Sequence, residues 1–240
     1  MDDIEFNIKA WLALAPGVNN RKDWQTWLDK NKRWPTTTES VADNLIPPMM
    51  RRRMSRLSKI AVQTALQLSQ EAQIDYIVFS SRHAELSRTV ALLEDIIKGE
   101  DASPMAFSQS VHNTAAGLFT IASHCTAPVT SITASDNSLT SAIIEAYCYL
   151  AENPQHTVLL VDFDEMLPAL YQQYETQQYP SYAFAMLLQS GRDVSISYQQ
   201  NQQNQREEYP QAFNVIDFLL TMRNMEIKSN HKKWIWTKQL

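Results

Sequence analysis

The chain alternates short apolar runs with longer segments in which apolar residues recur every three or four positions. The short runs are rich in β-branched and aromatic residues and predict buried strands at residues 75–81, 127–134 and 157–163. The longer segments have the periodicity of amphipathic helices, at residues 51–72, 84–98, 105–123 and 136–152. This alternation indicates an α/β fold with a mixed, mostly parallel sheet and helices on both faces.

The two ends of the chain have less regular patterns. Residues 4–15 have a strand-like start and precede a Trp-rich helical stretch at 21–34. Further along, residues 182–189 and 193–199 predict two more strands. A helical pattern then begins at residue 212 and is followed by a basic tail. The tail is either a strand that joins the sheet or a segment that docks on a partner.

The polar, Gln-rich segment near residue 200 suggests how the chain is organised. Its composition is that of a loop. We therefore expect an α/β domain at residues 1–198 and a polar loop at 199–211. Residues 212–240 would form a helix and tail that pack on the domain or on a partner.

Composition excludes several classes of protein. A net charge of −5 argues against general binding of nucleic acids, which requires positive charge. No stretch reaches the roughly 18 apolar residues of a membrane span, and the acidic N-terminus is unlike a signal peptide, so we expect a cytoplasmic protein. Cys125 and Cys148 have no disulfide or metal-ligand spacing. With 4 glycines and no nucleotide-binding motif, the sequence predicts no cofactor.

The stretch "VTSITASDNSLTSAIIEA", residues 129–146, predicts a strand, a sharp polar turn and a helix. Many enzymes place a nucleophile at such a turn, because the backbone N–H groups at the start of a helix stabilise a developing anion. A serine nucleophile needs a positioned base, and none of the five histidines lies in a recognisable signature. The sequence therefore favours Ser135 or Asp136 as a helix cap over Ser135 as a nucleophile.

Residues 103–165 carry a resemblance to a known family. Ser103-Pro104 is followed by Asn113-Thr114-Ala115-Ala116-Gly117, then by Ala127-Pro128 and Thr133-Ala134-Ser135. An apolar strand that ends near Glu165 comes next, although Asp162 and Phe163 stand where the family has paired glycines. In this order the motifs resemble the N-terminal half of β-ketoacyl synthases of the thiolase-like fold. The sequence is most similar to the truncated chain length factors of aryl polyene and related fatty-acid-like biosynthesis.

Two departures from the family determine what the resemblance implies. Ser135 stands where the family has its acyl-accepting cysteine, and the family's histidine motifs, His-Gly-Thr and Gly-Phe-Gly, are absent from this sequence. Unaided condensation is therefore not expected. The resemblance implies a non-catalytic subunit that pairs with a full-length ketosynthase, shapes its acyl tunnel and works with an acyl carrier protein. The alternatives are an acyl hydrolase or transferase that uses Ser135, and a purely structural module.

In the family, the helix equivalent to residues 105–122 lies at the dimer interface and lines the partner's acyl tunnel. The resemblance therefore implies six tunnel or interface residues: Phe107, Ser110, Val111, His112, Asn113 and Thr114. For Phe107 a tunnel role and a core role stay equally open. For Val111 the core is favoured, and for His112 a hydrogen-bonded core position is favoured.

Two charged clusters suggest further sites. Arg51, Arg52, Arg53 and Arg56, with the neighbouring Lys59, are candidates for docking an acidic acyl carrier protein or its phosphopantetheine phosphate. A solvated or salt-bridged surface is the favoured alternative. The carboxylates Asp162, Asp164 and Glu165 lack the spacing of a metal loop. A solvated turn at the end of a strand is therefore favoured there, and no metal is expected.

Overall fold

The computed structural model describes residues 3–37, 39–70, 72–201, 207–229 and 231–239. In this part of the chain, α-helices and two short 3₁₀ helices pack around one seven-stranded sheet. The strands are β1 (Ile4–Leu14), β2 (Tyr76–Ser80), β3 (Val129–Ile132), β4 (Val158–Asp164), β5 (Tyr182–Gln200), β6 (Met225–Ser229) and β7 (Lys232–Lys238). The helices are α1 (Arg21–Asp29), α2 (Pro48–Arg51), α3 (Arg56–Ser69), α4 (Leu86–Ile97), α5 (Pro104–Ser108), α6 (Thr114–Ser123), α7 (Ser138–Glu152) and α8 (Gln211–Thr221).

The sheet is mixed, in the order β3-β2-β4-β5-β7-β6, and β1 also pairs with β5. The α/β class is as predicted, but the expectation of a mostly parallel sheet is wrong. Only β2–β3 and β2–β4 are parallel pairs between the described strands, and the other four pairs are antiparallel. A parallel pair needs a crossover connection. Residues 165–181 contain only a 3₁₀ helix, Ala169–Tyr174, so β5 returns antiparallel to β4.

The strands predicted at residues 182–189 and 193–199 are one strand. β5 pairs with β4 through residues 182–188 and with β7 through residues 194–200. The basic tail is therefore a strand of the sheet. Residues 202–206 of the predicted polar loop lie outside the described residues.

Helices cover both faces of the sheet, as predicted. On one face, α3 and α6 bury Leu57, Ala61 and Phe119 against β2, β4 and β5. On the other face, α7 packs with α1 and α8. A cluster of aromatic rings joins α1 to α8, with Phe213 lying 5.8 Å from Trp24 and 5.7 Å from Trp27 between ring centroids. None of the helices in the described ranges is long and apolar enough to cross a membrane.

Two helices differ from their predicted bounds. The helix predicted at 105–123 is split into α5 and α6 by residues 109–113. Hydroxyl groups compete for the backbone there, since Ser110 Oγ donates to the Phe107 carbonyl at 2.9 Å and Thr114 Oγ1 donates to the Val111 carbonyl at 2.8 Å. The helix predicted to begin at residue 51 instead begins at Arg56. Ser55 caps it by accepting the Ser58 N–H at 2.8 Å.

The carboxylate of Asp162 lies inside the sheet near the end of β4, and only 3% of the residue is exposed. It accepts hydrogen bonds from Ser80 Oγ at 2.6 Å and from the Tyr182 hydroxyl at 2.8 Å. The interpretation of this region as a solvated turn is wrong, because β2 and β5 flank Asp162 on both sides. Burial raises the pKa of Asp162 to about 7, although the two hydroxyl donors oppose the shift.

We expect Asp162→Asn to remove a pH dependence of stability. The folded-state pKa of about 7 lies above the unfolded value of about 3.9, so the stability present at low pH is lost as the pH rises through 7. Between about pH 5 and about pH 8, the free energy of unfolding of the wild type should fall by about 2–3 kcal/mol more than that of the variant. Urea unfolding at several pH values measures this difference. Ser80→Ala, which retains the carboxyl group, should keep the pH dependence, and an equal fall in Asp162→Asn would contradict the assignment.

Candidate functional site

Ser135 lies at the turn between β3 and α7, in the first position of a 3₁₀ helix, Ser135–Asn137. Its side chain is exposed and its φ is +53°. A left-handed conformation is costly for a residue other than glycine and persists only where the surroundings enforce it. Ser138 enforces it here, because its hydroxyl donates to the Ser135 carbonyl at 2.8 Å and accepts the Ala134 N–H at 3.0 Å.

The interpretation of Ser135 or Asp136 as the helix cap is wrong. Asn137 occupies the N-cap position of α7, and its side chain makes no capping bond. The acceptor for the first turn comes from α8: Gln211 Oε1 accepts the Thr140 N–H at 3.1 Å and the Thr140 hydroxyl at 2.9 Å. The helix that follows Ser135 is therefore held in place by the C-terminal part of the chain, which no local sequence signal reveals.

A second buried carboxylate, Asp164, organises the ends of β2 and β4. It accepts hydrogen bonds from Ser81 Oγ at 2.8 Å, from the Arg82 N–H at 2.9 Å and from the His83 N–H at 3.2 Å. Burial raises the pKa of Asp164, and the neighbouring Arg82 charge opposes the shift. Burial also disfavours the charged form of His83, and the pKa of that imidazole is therefore lowered. The polar groups at the ends of β2 and β4 are thus hydrogen-bonded to one another.

Arg82 lies at the centre of this cluster, and sequence reasoning did not identify it. Its guanidinium contacts the Tyr179 hydroxyl at 2.5 Å, Asp136 at 3.5 Å and Asp164 at 3.6 Å. Burial lowers the pKa of Arg82, but Tyr179 and Asp164 outweigh burial, so its pKa is raised and it stays charged. The available signal was an arginine directly after a buried strand, where it cannot stay unpaired.

The space beside Ser135 is small. A cavity of about 20 Å³ is lined by Ser135, Arg82, Asp162 and Gln211, among others. This volume holds about one water molecule, whereas sites for small molecules have volumes of roughly 300 Å³ or more. An acyl chain therefore does not fit beside Ser135 within this chain.

Two histidines have hydrogen-bond partners other than Ser135. His112 Nε2 lies 3.0 Å from the Ser81 carbonyl, and His156 Nδ1 lies 2.8 Å from the Tyr149 hydroxyl. His112 is hydrogen-bonded but only half-buried, so the choice between a core and a tunnel position stays open. In addition, no group of three or more His, Cys, Asp or Glu side chains in the described ranges is arranged to hold a metal.

The six predicted tunnel residues lie on α5, in the following turn and at the start of α6. Phe107 is 63% exposed, and Val111 is also exposed, so neither belongs to the core of this chain. Thr114 is buried and Asn113 is exposed, while Ser110 is half-buried. The core interpretation favoured for Val111 is therefore wrong, because the break in the helix turns this residue towards the surface.

Phe107 and Val111 are two of several exposed apolar side chains on α4, α5, α6 and β3 and in the turn after α5; α4 contacts α5, and α6 contacts β3. We call this group the α4–β3 surface; it consists of Leu93, Ile96, Ile97, Met105, Phe107, Val111, Ile121 and Val129. β3 pairs with β2 on one edge and has no strand on its other edge within the described ranges. Exposed apolar groups beside a free strand edge are typical of a protein–protein interface.

The predicted arginine cluster is only partly available to a partner. Arg51 and Lys59 both contact Asp43, at 3.2 Å and 3.6 Å. Arg52, Arg53 and Arg56 are exposed. The side chains therefore divide into a salt-bridged group and an exposed group, and docking of a carrier protein by the exposed group stays a prediction.

The fold has relatives among solved structures. The complex of the ketosynthase ApeO with its chain length factor ApeC from Xenorhabdus doucetiae matches with a TM-score of 0.86 at 28% identity, over 98% of this chain and 99% of the matched chain. The ishigamide ketosynthase/chain length factor matches with a TM-score of 0.65 at 14% identity, over 82% and 68%. A type II polyketide synthase acyl-carrier protein in complex with its ketosynthase bound to the hexaketide matches with a TM-score of 0.68 at 11% identity, over 99% and 100%.

At 14% and 11% identity the last two similarities concern the fold alone. They and the first confirm the predicted thiolase-like, half-sized architecture. A search of curated proteins gave no match. The family model described as β-ketoacyl synthase, N-terminal domain, matches residues 24–237, and the chain therefore belongs to the β-ketoacyl synthase N-terminal domain family.

Proposed function

We propose that this chain is a non-catalytic chain length factor subunit. It pairs with a full-length ketosynthase and shapes the acyl tunnel of that partner, in aryl polyene or related fatty-acid-like biosynthesis. The observation that carries the proposal is the α4–β3 surface beside the free edge of β3. The match to the ApeO–ApeC complex over 98% of the chain supports the same pairing.

The arrangement around Ser135 supports a role without catalysis. Serine replaces the cysteine expected at this turn, and a thiolate forms far more readily than an alkoxide. Arg82 is engaged with Asp136, Asp164 and Tyr179, and the adjoining cavity of about 20 Å³ holds no acyl group. In the proposed complex, the partner provides the cysteine, the histidines and the tunnel.

Phe107 is our proposed residue for limiting the length of the acyl chain. It lies on the short helix α5, and 63% of it is exposed, so its ring is free to enter a cavity in the partner. Filling an enclosed apolar site beyond its volume costs about 1–3 kcal/mol. One aromatic ring at the end of an apolar tunnel would therefore slow a further elongation step by up to roughly a hundredfold.

The exposed Arg52, Arg53 and Arg56 are our proposed docking residues for an acidic acyl carrier protein, and Arg51 contributes through its partial exposure. Charges of this kind mainly accelerate encounter between partners. Their interaction should weaken as salt concentration rises, because the Debye length falls from about 10 Å at 0.1 M to about 3 Å at 1 M.

Ile121→Glu and Val129→Glu are expected to weaken assembly with the ketosynthase. Each change places a charge on the α4–β3 surface, which complex formation would desolvate, so affinity should fall by at least about tenfold. Co-purification and analytical ultracentrifugation measure the loss. Leu170→Glu is the matched control, since Leu170 is 63% exposed on a different element. Unchanged 1:1 assembly in both surface variants would contradict the proposed interface.

Phe107→Ala should lengthen the product of the reconstituted complex by at least one elongation step while assembly stays intact. Removing the ring opens the end of the tunnel, and the exposed position makes the change mild for stability. Mass spectrometry of the released acyl chains measures product length. Tyr174→Ala is the control, because Tyr174 is 67% exposed outside the α4–β3 surface. An unchanged product in Phe107→Ala would favour a structural module that only dimerises.

One observation favours the second candidate, a hydrolase or transferase that uses Ser135: the residue is exposed in a strained turn at the start of a helix. Under the proposed function, the purified chain does not hydrolyse acyl thioesters, and Ser135→Ala leaves the product and the turnover of the complex unchanged. Thioester hydrolysis by the isolated chain, abolished in Ser135→Ala, would establish the second candidate instead.

A further inference from the structure

A groove runs along β1, which pairs with β5 on the edge opposite to β4. Its volume is about 500 Å³, and residues 8–13 of β1 form one wall. α1 contributes Arg21 and Trp24, and Leu219 and Met222 contribute from the end of α8. The groove belongs neither to the Ser135 turn nor to the proposed interface.

The outer edge of β1 is open over a short length. β1 pairs with β5 and has no second strand partner in the described part of the chain. The edge closes near Ala13, whose carbonyl accepts a hydrogen bond from Trp24 Nε1 at 2.8 Å. Pairing with β5 is regular from Ala10 to Leu14, so Ala10–Leu12 present a flat segment of backbone to the groove.

The charges around the groove differ in sign from the chain as a whole. Lys9, Arg21 and Lys238 line it against one carboxylate, Asp193, whereas the net charge of the chain is −5. Lys9 stands in a bulge of β1, between the pairs Ile8–Leu188 and Ala10–Leu187, and is exposed. The Arg21 guanidinium lies 5.8 Å from the Trp11 ring centroid. These cations disfavour pairing with a second copy of the same edge, because like charges would meet.

We propose that this groove binds a short extended peptide segment with acidic side chains, which adds to the sheet as a strand beside β1. The backbone of Ala10–Leu12 provides hydrogen bonds, as in other cases of strand addition. Trp11, Leu12 and Met222 accept alternate apolar side chains. Lys9, Arg21 and Lys238 select acidic side chains at the rim. The inference is independent of the proposed function.

The test uses the full chain and two blocked synthetic peptides, one alternating Glu with Val and the other alternating Lys with Val. We expect the Glu–Val peptide to slow hydrogen exchange of the amides of residues 8–12, and the Lys–Val peptide to leave it unchanged. The charge-reversed double variant Lys9→Glu/Lys238→Glu should bind the Glu–Val peptide roughly tenfold more weakly. It should also gain affinity for the Lys–Val peptide.

Lys22→Glu is the matched control, since Lys22 is exposed on α1 and does not line the groove. It should retain the preference for the Glu–Val peptide. Equal protection by both peptides, or protection by neither, would overturn the proposal. Protection of residues 8–12 without peptide, together with a dimer in sedimentation, would assign the groove to self-association and would also overturn it.

Discussion

A buried sheet needs a cover on each face, and this requirement determines the rest of the structure. α3 and α6 cover one face in the ordinary way. α7, α1 and α8 cover the other face, and α1 meets α8 through the aromatic cluster around Phe213. Because α8 also provides the Gln211 oxygen at the start of α7, the covering segment sets the position of the Ser135 turn. The packing of the core on this face therefore also sets the geometry of the Ser135 turn.

The local elements could be predicted because each has a strong signal of its own. Residues 158–161, for example, are continuously apolar and form most of β4 (Val158–Asp164), and α7 begins within two residues of its predicted start. The break at 109–113 could not be predicted in the same way. The break depends on hydroxyl–carbonyl hydrogen bonds at Ser110 and Thr114. The spacing of apolar residues along the sequence carries no information about such bonds.

The polar cluster was missed for a different reason, because it depends on residues far apart in the chain. Asp164 is the last residue of β4, yet its donors are Ser81 and Arg82 after β2. The position of Ser135 at the turn could be identified from motif order alone. Its surroundings could not, since Arg82 and Gln211 reach the turn from other parts of the sequence.

The pairing of β1 with β5 has a consequence for how the protein acquires its structure. Ile4 lies opposite Ile196, so β1 finds its neighbour only after α7, β4 and β5 have also been synthesised. Contacts that close such long loops form slowly. Until β5 is made, the apolar residues of β1 lack their partner strand. Chaperones or simultaneous synthesis of a binding partner would have the most effect in that interval.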